Sequence, residues 1–198
     1  QDPAHFAFWA HANLADPDAA AREIERAVTQ LGAKGVCVGG ANFKGLQAYS
    51  EELFPVWEAV TRLDVPLMVH GYNQSVWWGD KHAEDRFETT SIVGDCVDET
   101  LFFWYLICGG ALDVFPTLKT YINHAGGMAV FQLGRLAELN KSMAPDARNK
   151  RPFMDYLSNF WFDLDVHHPA LRRAVVEVVG ADQILYGTNF GGPTTMAT

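Results

Sequence analysis

Short apolar segments alternate with amphipathic segments along the whole chain. Six of the apolar segments are too short for helices and are rich in β-branched and aromatic residues, so they predict buried strands. They span residues 5–11, 35–39, 66–70, 118–124, 160–165 and 183–187. The segments between them repeat their apolar residues every three or four positions and predict helices over residues 16–32, 50–63, 88–112, 128–143 and 169–179.

Strands that alternate with helices are typical of a parallel sheet with right-handed crossovers. A doubly wound open sheet could hold six strands, but that fold has a glycine-rich turn after its first strand, and the turn His11-Ala-Asn-Leu14 has no glycine. We therefore predict an α/β fold of the (β/α)8 TIM barrel type. Because six strands fill only part of such a barrel, we expect residues 1–198 to form a single domain without the first two strands and the C-terminal helices.

Three strands place a polar residue at or just beyond the carboxyl end of an apolar run, namely His70, His124 and Asn189. In a barrel of parallel strands, the carboxyl ends surround the mouth where active sites are built. Gly126 and Gly127 follow His124 and allow the backbone to approach the site closely. The pattern predicts that the three polar side chains converge in one pocket. Taken alone, a histidine at a strand end also fits a structural residue that bonds to the backbone.

The composition narrows the classes of partner. The 198 residues include 24 Asp and Glu against 15 Lys and Arg, and the resulting charge of −9 disfavours nucleic acid or an anionic membrane as a partner. The longest apolar run, residues 101–112, is shorter than the roughly 20 residues that span a bilayer and predicts a buried helix. Cys37, Cys96 and Cys108 are odd in number and widely spaced, which is typical of reduced thiols in a cytoplasmic protein.

The order and spacing of short motifs resemble the amidohydrolase-related family of metal-dependent barrels. Within it, the chain is similar to the aminocarboxymuconate-semialdehyde decarboxylases and related aromatic-acid decarboxylases. The motifs run over nearly the whole chain and include Glu52-Leu-Phe-Pro55, Val114-Phe-Pro-Thr-Leu-Lys119, His124-Ala-Gly-Gly127 and Gly187-Thr-Asn189. The resemblance implies that the six predicted strands are the third to eighth of the family barrel.

The resemblance also implies a divalent metal. In that family a His-x-His or Glu-x-His pair on the first strand binds the metal, and no such pair occurs in this sequence. His70 matches the family's ligand from the fifth strand, and imidazole suits Zn²⁺ or Mn²⁺. His124 matches the catalytic residue that activates or orients metal-bound water. Histidine suits this role because an imidazole can accept and return a proton near working pH.

Asn189 departs from the family pattern, which has Asp at this position. The resemblance assigns both metal binding and proton transfer to the position, but an amide oxygen coordinates weakly, has no charge and cannot act as a base. We keep Asn189 as a candidate metal ligand and catalytic position. An inactivated variant, a subgroup with altered chemistry and a protein that has lost catalysis all fit the substitution.

Candidate substrate-binding residues lie outside these strand ends. Arg135 matches an arginine that contacts a substrate carboxylate, in some members across a subunit boundary, although a surface role on a helix fits equally well. We expect His11 to face the same mouth and contact substrate. Trp77 stacks on an aromatic substrate, forms part of a lid or packs in a subunit interface, and the sequence leaves all three open. Asp163 and Asp165 share one face of their strand, where they either orient a ligand or are simply solvated.

The resemblance predicts a metal-dependent decarboxylase of a small unsaturated or aromatic carboxylic acid. A metal-dependent hydrolase of the same family, acting on a lactone or amide, is the first alternative. A catalytically silent barrel that binds a small ligand is the second, and Asn189 is the feature that favours it. The expected partners are a small-molecule carboxylate and further copies of the chain, in a homodimer or higher homo-oligomer.

Overall fold

The computed structural model describes residues 5–40, 42–71 and 88–189. The strands within these ranges are β1 (Trp9–His11), β2 (Gly35–Gly39), β3 (Asn42–Phe43), β4 (Leu46–Gln47), β5 (Leu67–His70), β6 (Thr120–Ile122) and β7 (Phe160–Phe162). Five of them form one sheet in the order β1-β2-β5-β6-β7, and β3 pairs with β4 in a separate antiparallel hairpin. The hairpin was not predicted, because strands of two residues carry no detectable periodicity.

The helices largely follow the sequence predictions. They are α1 (Pro17–Thr29), α2 (Phe54–Arg62), α3 (Asp95–Cys108), α4 (Ala111–Val114), the one-turn segment α5 (Asn123–Gly126), α6 (Ala129–Met143) and α7 (Pro169–Val179). Tighter 3₁₀ turns cover Glu51–Leu53, Phe153–Asn159 and Ala181–Gln183, and a π-helical turn, Thr90–Gly94, leads into α3.

Two helices begin with a capping side chain followed by proline. The Asp16 carboxylate accepts the backbone N–H of Ala19 at 3.0 Å, and Pro17 opens α1. The His168 ring accepts the N–H of Ala170 at 3.2 Å, and Pro169 opens α7. Proline suits this position because its missing N–H would have no partner in the first turn. His168 is therefore a capping residue.

The strand order decides between the two architectures that the sequence allows. All four pairings of the main sheet are parallel, and each strand lies beside the main-sheet strand that precedes it in the chain. A doubly wound sheet would reverse its order at a switch point, whereas a barrel winds in one direction. The sheet therefore winds in the manner of a (β/α)8 barrel, and its carboxyl ends share one edge.

Several predicted strands were too long. The last one, residues 183–187, has only a parallel bridge between Ile184 and Phe162. The chain leaves regular strand structure after Ile122 and after Phe162, so His124 and Asp163 lie just beyond β6 and β7. At the end of β6 the physical reason is that the Asp163 carboxylate accepts the backbone N–H groups of His124 and Ala125, which would otherwise bond to a neighbouring strand.

Aromatic side chains fill the core between the sheet and helices α2 and α3. Trp57, Phe102, Phe103 and Phe160 are fully buried. The ring centroids of Phe103 and Phe160 are 4.6 Å apart, within the range of favourable aromatic pairs. The predicted helix over residues 88–112 is broken, because α3 ends at Cys108 and Gly110, with a φ of +76°, separates it from α4. Half of the apolar run 101–112 is buried in these two helices, at Phe102, Phe103, Leu106, Ile107, Ala111 and Leu112. In the ranges that the structure describes, we find no helix with the length and apolarity needed to cross a membrane.

We predict that Gly127→Ala destabilises the protein by about 2–4 kcal/mol, measured by urea unfolding. Gly127 has a φ of +61°, and an added Cβ would collide with the carbonyl oxygen of Cys96 and lie 3.0 Å from the Thr100 hydroxyl. Gly32→Ala is the matched control, because Gly32 has a φ of +79° but no atom within 4 Å of an added Cβ. Equal losses in the two variants would contradict the predicted contact with α3.

Candidate active site

A cavity of about 120 Å³ lies at the carboxyl ends of β5, β6 and β7. Its lining is polar and consists of His70, Tyr121, Asn123, His124, Asp163, Asp165, Gly187 and Asn189. The three residues that the sequence predicted to converge, His70, His124 and Asn189, are all among them. Histidines, carboxylates and amides in one concave site are the groups that proton transfer and metal binding require.

The described residues also line a larger, partly open cavity of about 420 Å³ between α3 and the segment after α6. Aromatic residues and small residues dominate its wall, and its lining includes no histidine. Its cation, Arg148, donates hydrogen bonds to the Glu51 carboxylate and to the Tyr49 carbonyl oxygen, each at 2.8 Å. The smaller cavity is therefore the better candidate on chemical grounds, despite its size.

His70 is the last residue of β5 and lies opposite Gly39 of β2. Its Nδ1 is 2.6 Å from the carbonyl oxygen of Gly71. A carbonyl oxygen can only accept, so Nδ1 carries the hydrogen and the neutral ring has its lone pair on Nε2. A backbone carbonyl that fixes the tautomer in this way is the usual support of a metal-binding histidine.

The backbone of His124 is held in an unusual turn. His124 and the next residue, Ala125, have φ values of 52° and 54°, in the left-handed region that costs most residues about 1–2 kcal/mol each. The buried Asp163 carboxylate offsets this cost: it accepts the N–H of His124 at 3.1 Å and the N–H of Ala125 at 2.8 Å. It also accepts the hydroxyl of Tyr121 at 2.8 Å and the N–H of Asp165 at 3.0 Å.

A second buried carboxylate, Glu99 of α3, holds the ring of His124. The Nδ1 atom of His124 lies 2.8 Å from Oε1 of Glu99, whose side chain is fully buried. This hydrogen bond raises the pKa of His124 to about 9, while burial raises the pKa of Glu99 to about 7. The two rings of His70 and His124 have centroids 5.2 Å apart. The site thus contains two neighbouring imidazoles. A backbone carbonyl oxygen holds the ring of His70, and a buried carboxylate holds the ring of His124.

Acidic groups surround the cavity. Asp163 and Asp165 both line it, and Nε2 of His167 lies 2.8 Å from the Asp165 carboxylate. Burial, followed by the charge of Asp163, raises the pKa of Tyr121 above its usual range, so this hydroxyl is a hydrogen-bond donor at neutral pH. Negative surroundings of this kind favour a cation over an anion in the cavity.

The donor set fits part of a metal site. Within residues 5–40, 42–71 and 88–189, no group of three or more His, Cys, Asp or Glu side chains is arranged to hold an ion. His70 and Asn189 line the same cavity, where an imidazole nitrogen and an amide oxygen are two of the donors that would hold a divalent ion.

The other predicted site residues lie outside this cavity. Arg135 is exposed on α6, and His11 is exposed at the end of β1, which β2 separates from β5. Neither is among the residues that line the cavity. Trp77 lies outside the described residues. The substrate-binding roles of all three therefore remain predictions.

Sequence reasoning missed Glu99 and assigned no definite role to Asp163. The signal for Glu99 was present, since Asp98 and Glu99 are two acids at the start of a helix whose following residues are apolar. Charged residues are almost never fully buried unless they are paired, so an acid on an apolar helix face indicates a partner. The sequence alone does not identify that partner, which comes from a segment 25 residues away.

Comparison with known proteins places the chain in a family. The model of the amidohydrolase family matches residues 1–196. A gamma-resorcylate decarboxylase from Polaromonas sp. is 30% identical over 203 residues, which cover 96% of this chain and 61% of the relative. A 2-amino-3-carboxymuconate-6-semialdehyde decarboxylase from Dictyostelium discoideum is 26% identical and is covered over 47% of its length, against 87% of this chain.

A solved relative has the same fold. The crystal structure of a dihydroxybenzoic acid decarboxylase from Polaromonas sp. JS666, with bound manganese and the inhibitor 2-nitroresorcinol, superposes with a TM-score of 0.83 and 27% identity. The match covers 98% of this chain and 60% of that chain. The five parallel strands are therefore part of a TIM barrel, as predicted. Together, the match over residues 1–196 and the shared fold show that this chain belongs to the amidohydrolase family.

Proposed function

We propose that this protein is a metal-dependent decarboxylase of a small aromatic or unsaturated carboxylic acid. The observation that carries the proposal is the convergence of His70, His124 and Asn189 in one cavity at the carboxyl ends of the strands. Two decarboxylases are among the relatives of the chain, and a solved decarboxylase shares its fold. The chain spans 61% and 47% of the lengths of those two relatives, so the activity is inferred from the part of the barrel that it contains.

His70 and Asn189 would hold the divalent ion, and manganese is the metal that the solved relative contains. When bound, the ion would stabilise the negative charge that develops as the carbon–carbon bond breaks. Zn²⁺ is the alternative metal. Asn189 contributes no charge of its own, so this protein is expected to bind its metal less tightly than an aspartate at the same position would allow.

His124 would handle the proton of the reaction. Loss of CO₂ leaves an electron pair on the substrate carbon, and that carbon must gain one proton. Because Nδ1 of His124 is bonded to Glu99, Nε2 is the nitrogen that can exchange a proton with a substrate in the cavity. Arg135, supplied by a second copy of the chain in a homodimer, would pair with the substrate carboxylate. The cytoplasmic location expected from the three cysteines stays a prediction.

The direct test is CO₂ release from a panel of hydroxybenzoic acids and unsaturated dicarboxylic acids, with the full-length protein loaded with Mn²⁺. Metal-dependent CO₂ release would support the proposal. Hydrolysis of lactones or amides without CO₂ release would favour the hydrolase alternative. Ligand binding without turnover of either kind would favour a silent barrel, which is the reading that Asn189 suggests.

We predict that Asn189→Asp increases the affinity for Mn²⁺ by about tenfold or more, equivalent to about 1.4 kcal/mol, because a carboxylate adds a negative charge at the metal. Isothermal titration with Mn²⁺ measures the change. Asn123→Asp is the matched control, since Asn123 lines the same cavity and gains the same charge. A larger gain at position 123 than at position 189 would contradict the assignment of Asn189 as a ligand.

We predict that His124→Asn lowers turnover by about 100-fold or more while the protein stays folded, because the variant loses its titratable group. Steady-state kinetics and thermal unfolding measure the two effects. His168→Asn is the control: it makes the same replacement at a helix cap, where Asn is a favoured residue, so turnover and stability should both be retained. Loss of stability with an unchanged rate per folded molecule would return His124 to a structural role.

A further inference from the structure

Glu99 links the ring of His124 to Gly71, the residue after His70, through a single oxygen atom. Oε1 of Glu99 lies 2.8 Å from Nδ1 of His124 and accepts the backbone N–H of Gly71 at 3.2 Å. Gly71 directly follows His70, and its carbonyl oxygen is the partner of the His70 ring. One carboxylate on α3 therefore contacts both the end of β5 and the turn after β6.

The position of Glu99 is costly for the fold. Glu99 lies in the second turn of α3, among buried residues that include Phe102 and Phe103, and its side chain has no exposed surface. Burying a carboxylate is unfavourable unless its hydrogen bonds are satisfied. Oε1 has two donors, whereas Oε2 has no hydrogen-bond partner among the residues that the structure describes. An apolar residue would pack here at a lower cost, so the carboxylate has a role other than packing.

The backbone and the ring of His124 are held by different groups. Asp163 accepts the N–H groups of His124 and Ala125 and so fixes the turn, and these hydrogen bonds involve the main chain of His124 rather than its ring. Glu99 holds the ring through the hydrogen bond at Nδ1. Loss of Glu99 should therefore free the ring to rotate while the left-handed turn persists.

We propose that Glu99 is a positioning residue that fixes the ring orientation of His124 and ties His124 to the strand end that carries His70. Oε1 of Glu99 accepts the hydrogen on Nδ1, so Nε2 is the nitrogen left to face the reacting group. The kinetic part of this inference rests on the proposed function. Its structural part, the hydrogen bond that Nδ1 of His124 donates to Glu99, can be tested without any activity.

The experiment compares Glu99→Gln and Glu99→Leu with the parent protein in its full-length, Mn²⁺-loaded form. We expect kcat to fall about 10- to 100-fold in both variants, with KM nearly unchanged, because an orienting partner of an active-site histidine is lost. The free energy of unfolding should be retained, since Gln and Leu are about as large as Glu and each variant removes a buried charge without leaving a cavity. Should one variant fail to fold, the other still tests the proposal.

The second readout is the long-range ¹⁵N–¹H correlation spectrum of the histidine side chains, recorded without substrate and with diamagnetic Zn²⁺ in place of Mn²⁺, because Mn²⁺ would broaden the signals of nearby histidines. The parent should show hydrogen on Nδ1 of His124, and Glu99→Leu should change that signal. Asp98→Asn is the control, because it removes a fully buried acid at the position next to Glu99 and should leave the His124 signal unchanged.

The two readouts separate the inference from the proposed function. A change in the His124 signal without decarboxylase activity in the parent would reject the proposed function and keep the positioning role. An active parent whose kcat and His124 signal are both unchanged in Glu99→Gln and Glu99→Leu would overturn the positioning role. Lower stability with unchanged kcat per folded molecule would also overturn it, because Glu99 would then be only structural.

Discussion

The candidate active site depends on the hydrogen bonds that the Asp163 carboxylate accepts. Its two oxygens accept three backbone N–H groups and the hydroxyl of Tyr121, all at 2.8–3.1 Å. Without them, the left-handed backbone at His124 and Ala125 would be unfavourable, and buried N–H groups would lose their partners. The same turn brings Gly127 against α3, so the direction of His124 and the packing of two helices depend on one carboxylate.

Two buried carboxylates divide the support of His124. Asp163 binds its main chain, and Glu99 binds its ring. Both acids are almost free of solvent exposure, which is costly unless hydrogen-bond donors compensate. The compensation is good for Asp163 and only partial for Glu99, whose second oxygen has no partner among the described residues. The fold therefore retains an unfavourable group where it orients a candidate catalytic residue, a pattern that is common at functional sites.

The elements that the sequence predicted well are those with local signals. Helix α1 begins with a capping aspartate and a proline, and α7 ends before Gly180, so both could be placed within a few residues. Strand ends were predicted less well, because a polar residue after an apolar run does not show where the hydrogen bonds to the neighbouring strand stop. The loss of strand structure after Ile122 arises from the distant Asp163, and no local pattern announces it.

The sequence by itself determined the alternation of strands and helices and the candidates His70, His124 and Asn189, because periodicity and strand-end chemistry are local properties of the chain. Only the tertiary structure decided the sequential strand order, the left-handed turn at His124 and the partnership of that histidine with Glu99. These features depend on contacts between segments that are 25 or more residues apart in the chain. Such contacts form only when the sheet closes against α3, and their energies are set by burial, which a sequence does not specify.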